Sequence, residues 1–127
     1  MKGLSAQFFG SALVYAILGM VLGNVMGVSD DHSQMPTHAH LMLVGWVSFA
    51  IFGFFYHLFP ERGATLLARL HFWLAQVSYI AFVIALYLIF SGRPDIGEPI
   101  AGGASIGLLL SMVLFALVAL PVVRGTR

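Results

Sequence analysis

Residues 38–60 read HAHLMLVGWVSFAIFGFFYHLFP, so two histidines, His38 and His40, stand directly before an apolar run from Leu41 to Pro60. Ionisable side chains are costly in hydrocarbon, and they are therefore rare there and usually functional. On a helix, residues i and i+2 point about 200° apart, because each residue turns the helix by about 100°. One helix could therefore hold a ligand on each of two flanks. Neutral imidazole is a common protein ligand for heme iron and copper.

The composition predicts an integral membrane protein with an all-α fold. The chain has 127 residues, of which 60% are hydrophobic and only 9% are charged, whereas about 25% of residues are charged in soluble domains. Four apolar stretches are each near the ~20 residues that an α-helix needs to cross a bilayer. We predict a single four-helix transmembrane domain over residues 1–127, with helices at about 5–28, 37–60, 64–91 and 99–123.

Several classes of function are excluded by what the sequence lacks. It has no cysteine, which excludes disulfides, iron–sulfur clusters and thiolate zinc sites. It has no basic stripe for nucleic acid and no Walker, GxGxxG or HExxH motif. No Asp or Glu lies inside a predicted span, so a proton relay through the membrane is poorly supported, and we predict no catalytic residue. The first apolar stretch is too long for a signal peptide, and we expect it to span the membrane.

The distribution of basic residues predicts the orientation, because cytoplasmic segments are enriched in Lys and Arg. One predicted side carries only Arg93. The other side carries five basic residues, which are Lys2, Arg62, Arg69, Arg124 and Arg127. We therefore expect a multi-pass protein of the inner or plasma membrane with both termini in the cytoplasm. His38 and His40 then lie toward the outer side, which is the periplasmic side in a bacterium.

The other three histidines have simpler interpretations. A rise of about 1.5 Å per helical residue puts His57 and His71 near the inner surface, far from His40. We expect both to be interfacial residues, and a second metal site between them is the alternative that their shared depth permits. His32 is predicted to be a solvated loop residue, with a pH-sensing or access role as the alternative.

Rows of small residues run along the first and the last span. They consist of Gly19, Gly23 and Gly27 in the first span and of Gly103, Gly107 and Ser111 in the last. Such rows let helix backbones approach closely within lipid. The sequence leaves open whether these rows pack within the chain or between chains.

The stretch from His38 to Pro60 resembles the tenth transmembrane helix of subunit I of heme–copper oxidases. In that helix an HxH pair comes first, an F-A-I-x-G core follows and H-x-F-P ends it, as do His38-Ala-His40, Phe49-Ala-Ile-Phe-Gly53 and His57-Leu-Phe-Pro60 here. The segment LHFWL at residues 70–74 is similar to the start of the eleventh helix. Nitric oxide reductases, which are related, have similar helices. The resemblance covers about residues 37–90, and the first and last spans correspond by position only.

In that family the first histidine of the pair binds the high-spin heme of the reaction centre, and the second binds the low-spin heme. The resemblance therefore implies that His38 and His40 are axial ligands of heme iron in these two roles. It also implies that the hemes lie toward the outer side, in agreement with the predicted orientation. His57 matches a family position that is not a ligand.

The chain also departs from the family pattern. Subunit I has twelve helices in three arcs of four, and this chain supplies a single arc. The three histidines that bind copper, the crosslinked tyrosine and the residues of the proton channel have no counterpart here. We therefore expect no independent oxidase activity and no proton pumping.

The number of available ligands predicts an assembly of several copies. A six-coordinate heme needs axial ligands on opposite faces, and one helix cannot supply both. The other spans offer no ligand at that depth, so a second axial histidine requires a second chain. A cyclic homotrimer would rebuild the three-arc plan, with His38 of one copy and His40 of the next in one pocket. A symmetric dimer with one shared heme is the simpler variant.

Together these features predict a membrane-embedded b-type heme protein. It would be an electron carrier if the iron has two histidine ligands, or a gas-binding or gas-sensing protein if one position is open to O₂, CO or NO. Its expected partners are further copies of itself, the lipid bilayer, and a redox partner or a diatomic gas. One alternative is a copper or other metal site made of His38 and His40 from several chains. Another is a non-catalytic structural subunit of a larger oxidase.

Overall fold

The computed structural model describes residues 1–126 as helices joined by short turns, with no strand among them. The helices are α1 (Gly3–Ser29), α2 (Met35–Leu58), α3 (Pro60–Gly63), α4 (Leu66–Phe90) and α5 (Pro94–Val123). Four of them, α1, α2, α4 and α5, are long and apolar enough to cross a membrane. The chain is therefore an all-α protein, and its helices support a multi-pass membrane topology.

Helix α2 changes its hydrogen-bonding pattern along its length. It is α-helical over Met35–His40, π-helical over Leu41–Ser48 and α-helical again over Phe49–Leu58. The π-helical part begins at the residue directly after His40. π-helical turns are rare, and those that occur are often found at functional sites. The sequence pattern did not predict this feature.

The last spanning helix begins earlier than the sequence predicts. Helix α5 starts at Pro94, whereas we expected its start near residue 99. Pro94 occupies the beginning of the helix, where the missing N–H of a proline costs nothing. Pro99 lies inside α5, so this second proline does not interrupt the helix.

The core is a cluster of aromatic rings between the helices. Phe8 of α1 is fully buried and lies against Phe49 and Tyr56 of α2 and Phe72 of α4, with ring centroids 5.0–5.7 Å apart. Aromatic pairs with this spacing contribute about 0.5–1.5 kcal/mol each beyond their buried area. Such packing matters here because helices in lipid gain little from the hydrophobic effect when they associate.

Polar bonds between helices add to this core. Gln76 of α4 accepts a hydrogen bond from the Tyr15 hydroxyl at 2.5 Å and donates to the Ser11 hydroxyl at 2.8 Å. Both partners belong to α1. Gln76 thus has a role in helix–helix contact, as is common for polar side chains within membranes.

Three of the glycines in these rows serve helix packing within the chain. A Cβ added at Gly19 would lie 2.6 Å from the sulfur of Met42, and one added at Gly107 would collide with Ser78. Gly23 also lies close to α2, because a Cβ added there would be 2.9 Å from the Cε1 atom of His38. A Cβ added at Gly27 or Gly103, by contrast, would have no atom within 4 Å. Each row of small residues is therefore divided between intrachain contact and an open surface.

Candidate functional site

Gln34, which directly precedes α2, links the beginning of this helix to the end of α4 by hydrogen bonds. The Gln34 side-chain amide donates to the carbonyl oxygen of Tyr87 at 3.2 Å and to the hydroxyl of Ser91 at 2.9 Å. Its amide oxygen accepts a hydrogen bond from the Thr37 hydroxyl at 2.7 Å. Thr37 is buried and directly precedes His38. These bonds hold the backbone that carries the two histidines.

His38 lies against α1. Its Nδ1 atom is 2.7 Å from the carbonyl oxygen of Gly19. A carbonyl can only accept, so we assign the ring proton to Nδ1, which leaves a lone pair on Nε2. The ring packs over Gly23, where an added Cβ would be 2.9 Å from the Cε1 atom of His38. Within residues 1–126, Nε2 of His38 makes no hydrogen bond, and it is not enclosed.

His40 lies against α4. Its Nδ1 atom is 2.7 Å from the carbonyl oxygen of Pro36, one turn earlier in the same helix. Its ring meets the edge of Phe82 with centroids 5.1 Å apart. The hydroxyl of Tyr79 donates to the backbone carbonyl of His40 at 3.2 Å, which ties this position to α4 a second time. By the same reasoning as for His38, the lone pair of His40 is on Nε2, which has no hydrogen bond within residues 1–126.

Both imidazoles are thus half-buried, and each is oriented by a backbone carbonyl. Metal-ligating histidines usually donate their other ring N–H to a carbonyl or carboxylate, which fixes the tautomer and the orientation of the ring. The two rings contact different helices, α1 and α4. Within residues 1–126 no group of three or more His, Cys, Asp or Glu side chains is placed to hold a metal ion. A single chain therefore offers two separate imidazole ligands rather than one closed metal site.

A shallow recess opens beside His38 on the surface of α1. Its volume is about 420 Å³, and Met20, Asn24 and Val28 are among its walls. Asn24 uses its amide N–H to bond the carbonyl of Met20, so this polar side chain is occupied within its own helix. The recess gives His38 an open flank that is mostly apolar.

The loop before α2 is exposed and carries His32 and Asp31. The Asp31 carboxylate accepts a hydrogen bond from the backbone N–H of Ser33 at 3.0 Å. This bond, together with the Ser33 side chain, holds the pKa of Asp31 below its usual value. The exposure of His32 agrees with its prediction as a solvated loop residue.

The structure separates His57 from His71. His71 is fully buried, with its Nδ1 atom 2.9 Å from the Tyr56 hydroxyl, so the prediction of an interfacial position is wrong for this residue. It lies among aromatic rings: Phe8 stacks on it with centroids 5.0 Å apart, and the ring of Phe52 meets it edge to face with centroids 4.7 Å apart. His57 is exposed and lines a cleft at the end of the bundle that His71 does not reach. The two rings are therefore not arranged as a joint metal site.

Two parts of the candidate site were missed by the sequence patterns. One is Gln34, whose anchoring role depends on residues more than fifty positions away. Its only local signal was its position just before the first turn of α2, which contains Pro36. The other is the π-helical segment Leu41–Ser48, for which apolar composition gives no signal.

The site and the fold define a four-span, all-α membrane protein with a pair of oriented histidines at one end of the bundle. Comparison of the chain with models of protein families, with curated proteins and with solved structures gives no match.

Proposed function

We propose that the protein binds a b-type heme between copies of its own chain, with His38 and His40 as axial ligands of the iron. The single observation that carries this proposal is the state of the two rings. Each is oriented through Nδ1 by a carbonyl oxygen 2.7 Å away, and each keeps an unbonded Nε2. A neutral imidazole with a fixed tautomer is the form in which histidine ligates heme iron.

The environment of the two rings is compatible with a large apolar ligand. Phe82 lies beside His40, and the recess beside His38 is mostly apolar. Both rings are only half-buried, so a flat macrocycle has access to them from outside the chain. The resemblance of residues 37–90 to oxidase subunit I agrees with this assignment.

A site shared between copies follows from the separation of the rings. His38 contacts α1 and His40 contacts α4, so one chain presents one imidazole on each flank. A heme with two histidine ligands needs the second from a neighbouring copy. In a cyclic trimer, His38 of one copy and His40 of the next would meet in each of three pockets. A symmetric dimer would hold one heme.

The outer surface of the bundle leaves room for such contacts. Helix α5 buries little of its surface within the chain, and Leu109 and Leu117 are among its exposed residues. Gly27 and Gly103 face open space. These surfaces contact lipid in a monomer and are available to neighbouring copies in an oligomer.

Two activities are compatible with such a heme. With two histidine ligands the iron transfers electrons to and from a redox partner. With one ligand it binds a diatomic gas. We propose the outer side of the membrane for the site and the cytoplasm for both termini, on the basis of the basic residues near the opposite helix ends.

The test is a reduced-minus-oxidised absorption spectrum of the protein purified from heme-replete cells. We expect Soret and α bands in the wild type and loss of most of the low-spin signal in His40→Ala. His38→Ala should lose the same low-spin signal, because His38 of one copy and His40 of the next bind the same iron in the proposed pocket. His57→Ala is the matched control, because His57 is exposed at the other end of α2 and should leave the spectrum unchanged.

Absence of both bands, even after heme is supplied, would reject the proposal. Metal analysis of the same sample then separates the alternatives. Bound copper that depends on His38 and His40 would favour the copper site. A stable, colourless and metal-free protein would favour a structural subunit. Native mass spectrometry of the pigmented protein would count the copies and the hemes.

A further inference from the structure

A further cavity lies at the opposite end of the bundle from the histidine pair. Its volume is about 730 Å³, and it lies between the end of α2, the short helix α3 and the end of α5. Its walls include one basic residue, Arg62, one acidic residue, Glu61, and the apolar residues Leu58, Phe59 and Val122. Cavities at helix ends are at the depth of the lipid headgroups.

Arg62 lies in the wall of this cavity, and its side chain has one buried donor that is unsatisfied within residues 1–126. Its Nε atom is buried and has no hydrogen-bond partner within residues 1–126. A buried donor without a hydrogen bond is unfavourable, so most such groups in native structures have a partner. Glu61 does not supply this partner, because it forms no ion pair within residues 1–126. The ion pair in that part of the chain joins Arg93 and Asp95.

The backbone N–H and the backbone carbonyl of Arg62 both make hydrogen bonds. Its N–H donates to the carbonyl oxygen of Phe59 at 2.9 Å. Its carbonyl oxygen accepts a hydrogen bond from the Thr65 hydroxyl at 2.9 Å, and this hydroxyl also accepts from the N–H of Ala68 at the start of α4. Arg62 is thus presented to the cavity by a capped turn and not by a loose loop.

The two charged residues define the class of ligand. A guanidinium binds phosphate oxygens well, with geometry that suits two parallel hydrogen bonds. A simple anion would be repelled by the carboxylate of Glu61 in the same cavity wall. A ligand with a phosphate and a nearby ammonium group satisfies both residues. The apolar walls continue onto the outside of α2, where Leu58 is 70% exposed and is accessible to lipid chains.

From this charge pattern we propose that the cavity binds the phosphoethanolamine headgroup of an aminophospholipid. The phosphate accepts hydrogen bonds from Arg62, and the ammonium donates to Glu61. The acyl chains leave the cavity along Leu58 and Val122. The site is independent of heme binding, because it lies at the other end of the molecule and uses different residues.

The experiment measures bound lipid by native mass spectrometry after delipidated protein is mixed with detergent micelles containing phosphatidylethanolamine or phosphatidylglycerol. The wild type should retain phosphatidylethanolamine in preference to phosphatidylglycerol. Arg62→Gln should weaken the retention of both lipids about tenfold or more, as expected for lost charge-assisted hydrogen bonds. Glu61→Gln should abolish the preference by improving retention of phosphatidylglycerol. Arg69→Gln is the matched control, because Arg69 is exposed and does not line the cavity.

Three results would overturn the proposal. One is equal retention of the two lipids by the wild type, and another is unchanged retention by Arg62→Gln. The third is binding of soluble glycerophosphoethanolamine as tightly as the lipid, which would identify a free phosphate ester as the occupant. If Arg62→Gln does not fold, Arg62→Lys replaces it. Lysine keeps the charge without the planar fork, and it should still weaken retention of phosphatidylethanolamine.

Discussion

The hydroxyl of Tyr56 lies 2.9 Å from Nδ1 of His71, and this bond is enclosed by the aromatic core. The other ring nitrogen of His71, Nε2, is buried without a partner within residues 1–126. The Tyr56 bond is therefore the only hydrogen bond that this imidazole makes in that part of the chain. The pair joins α2 to α4. Phe8 and Phe52 pack against the His71 ring at the same level and against each other.

Replacement of Tyr56 by Phe should destabilise the protein. The change leaves both ring nitrogens of His71 unpaired in an apolar environment, which should lower the free energy of unfolding by about 1–3 kcal/mol. Unfolding in mixed micelles with increasing denaturing detergent measures this difference. Tyr87→Phe is the control, because the Tyr87 side chain is exposed and its hydroxyl bonds nothing within residues 1–126. Equal stability of the two variants would show that the Tyr56–His71 bond contributes nothing.

A branched side chain at Gly23 should displace the ring of His38. In Gly23→Val the new Cβ would lie within 3 Å of the imidazole, so the ring has to leave its place over α1 and lose its bond to Gly19. Nitrogen NMR of labelled histidine should show His38 as the Nδ1–H tautomer in the wild type and a changed signal in this variant. The signal should persist in Gly27→Val, where an added Cβ meets open space. A His38 signal that is unchanged in both variants would contradict the packing described here.

Loss of the Gln34 side chain should loosen the start of α2. Gln34→Ala removes the hydrogen bonds to Tyr87 and Ser91 and leaves the Thr37 hydroxyl without its acceptor. Backbone amides of residues 35–40 should then exchange with deuterium faster, while those of α5 should not change. Gln7→Ala serves as the matched control, because Gln7 is exposed on α1. Equal exchange in the two variants would mean that α2 is held by packing alone.

The two glycines of α5 should respond differently to the same substitution. Gly107→Val places atoms against Ser78 of α4 and should destabilise the protein by about 1–3 kcal/mol through overpacking. Gly103→Val meets open space within the chain and should leave the stability of the monomer unchanged. If Gly103 packs against a neighbouring copy, size-exclusion chromatography of this variant would show a smaller oligomer. A destabilised monomer in Gly103→Val would contradict the exposure of this position.

The spans could be predicted from the sequence because a bilayer of fixed thickness demands about 20 consecutive apolar residues. The separation of His38 and His40 could be predicted too, because helix geometry alone sets the angle between i and i+2. The burial of His71 could not. Depth in the membrane follows from position along a helix, but the direction of a side chain around the axis does not. Apolar residues cover both the lipid-facing and the core-facing sides of a span, so the hydropathy pattern does not show which side of the helix faces the core.

The same limit applies to the details of α2. The π-helical turns between Leu41 and Ser48 pack mainly against α1, and Tyr79 of α4 lies against Gly45 and donates to the carbonyl of His40. Gln34 likewise finds its partners at the far end of α4. These contacts join residues distant in sequence, so a local pattern of hydropathy and turn residues cannot encode them.

The π-helical stretch sets the direction of the two imidazoles relative to the rest of α2. In a π-helix each N–H bonds the carbonyl five residues back, and in an α-helix four residues back, so each residue turns the chain by a smaller angle in a π-helix. In a continuous α-helix of the same sequence, the rings of His38 and His40 would therefore point elsewhere relative to Phe49–Leu58, which packs in the aromatic core. The angle about the helix axis between the imidazoles and that packed segment is thus a property of the eight residues between them.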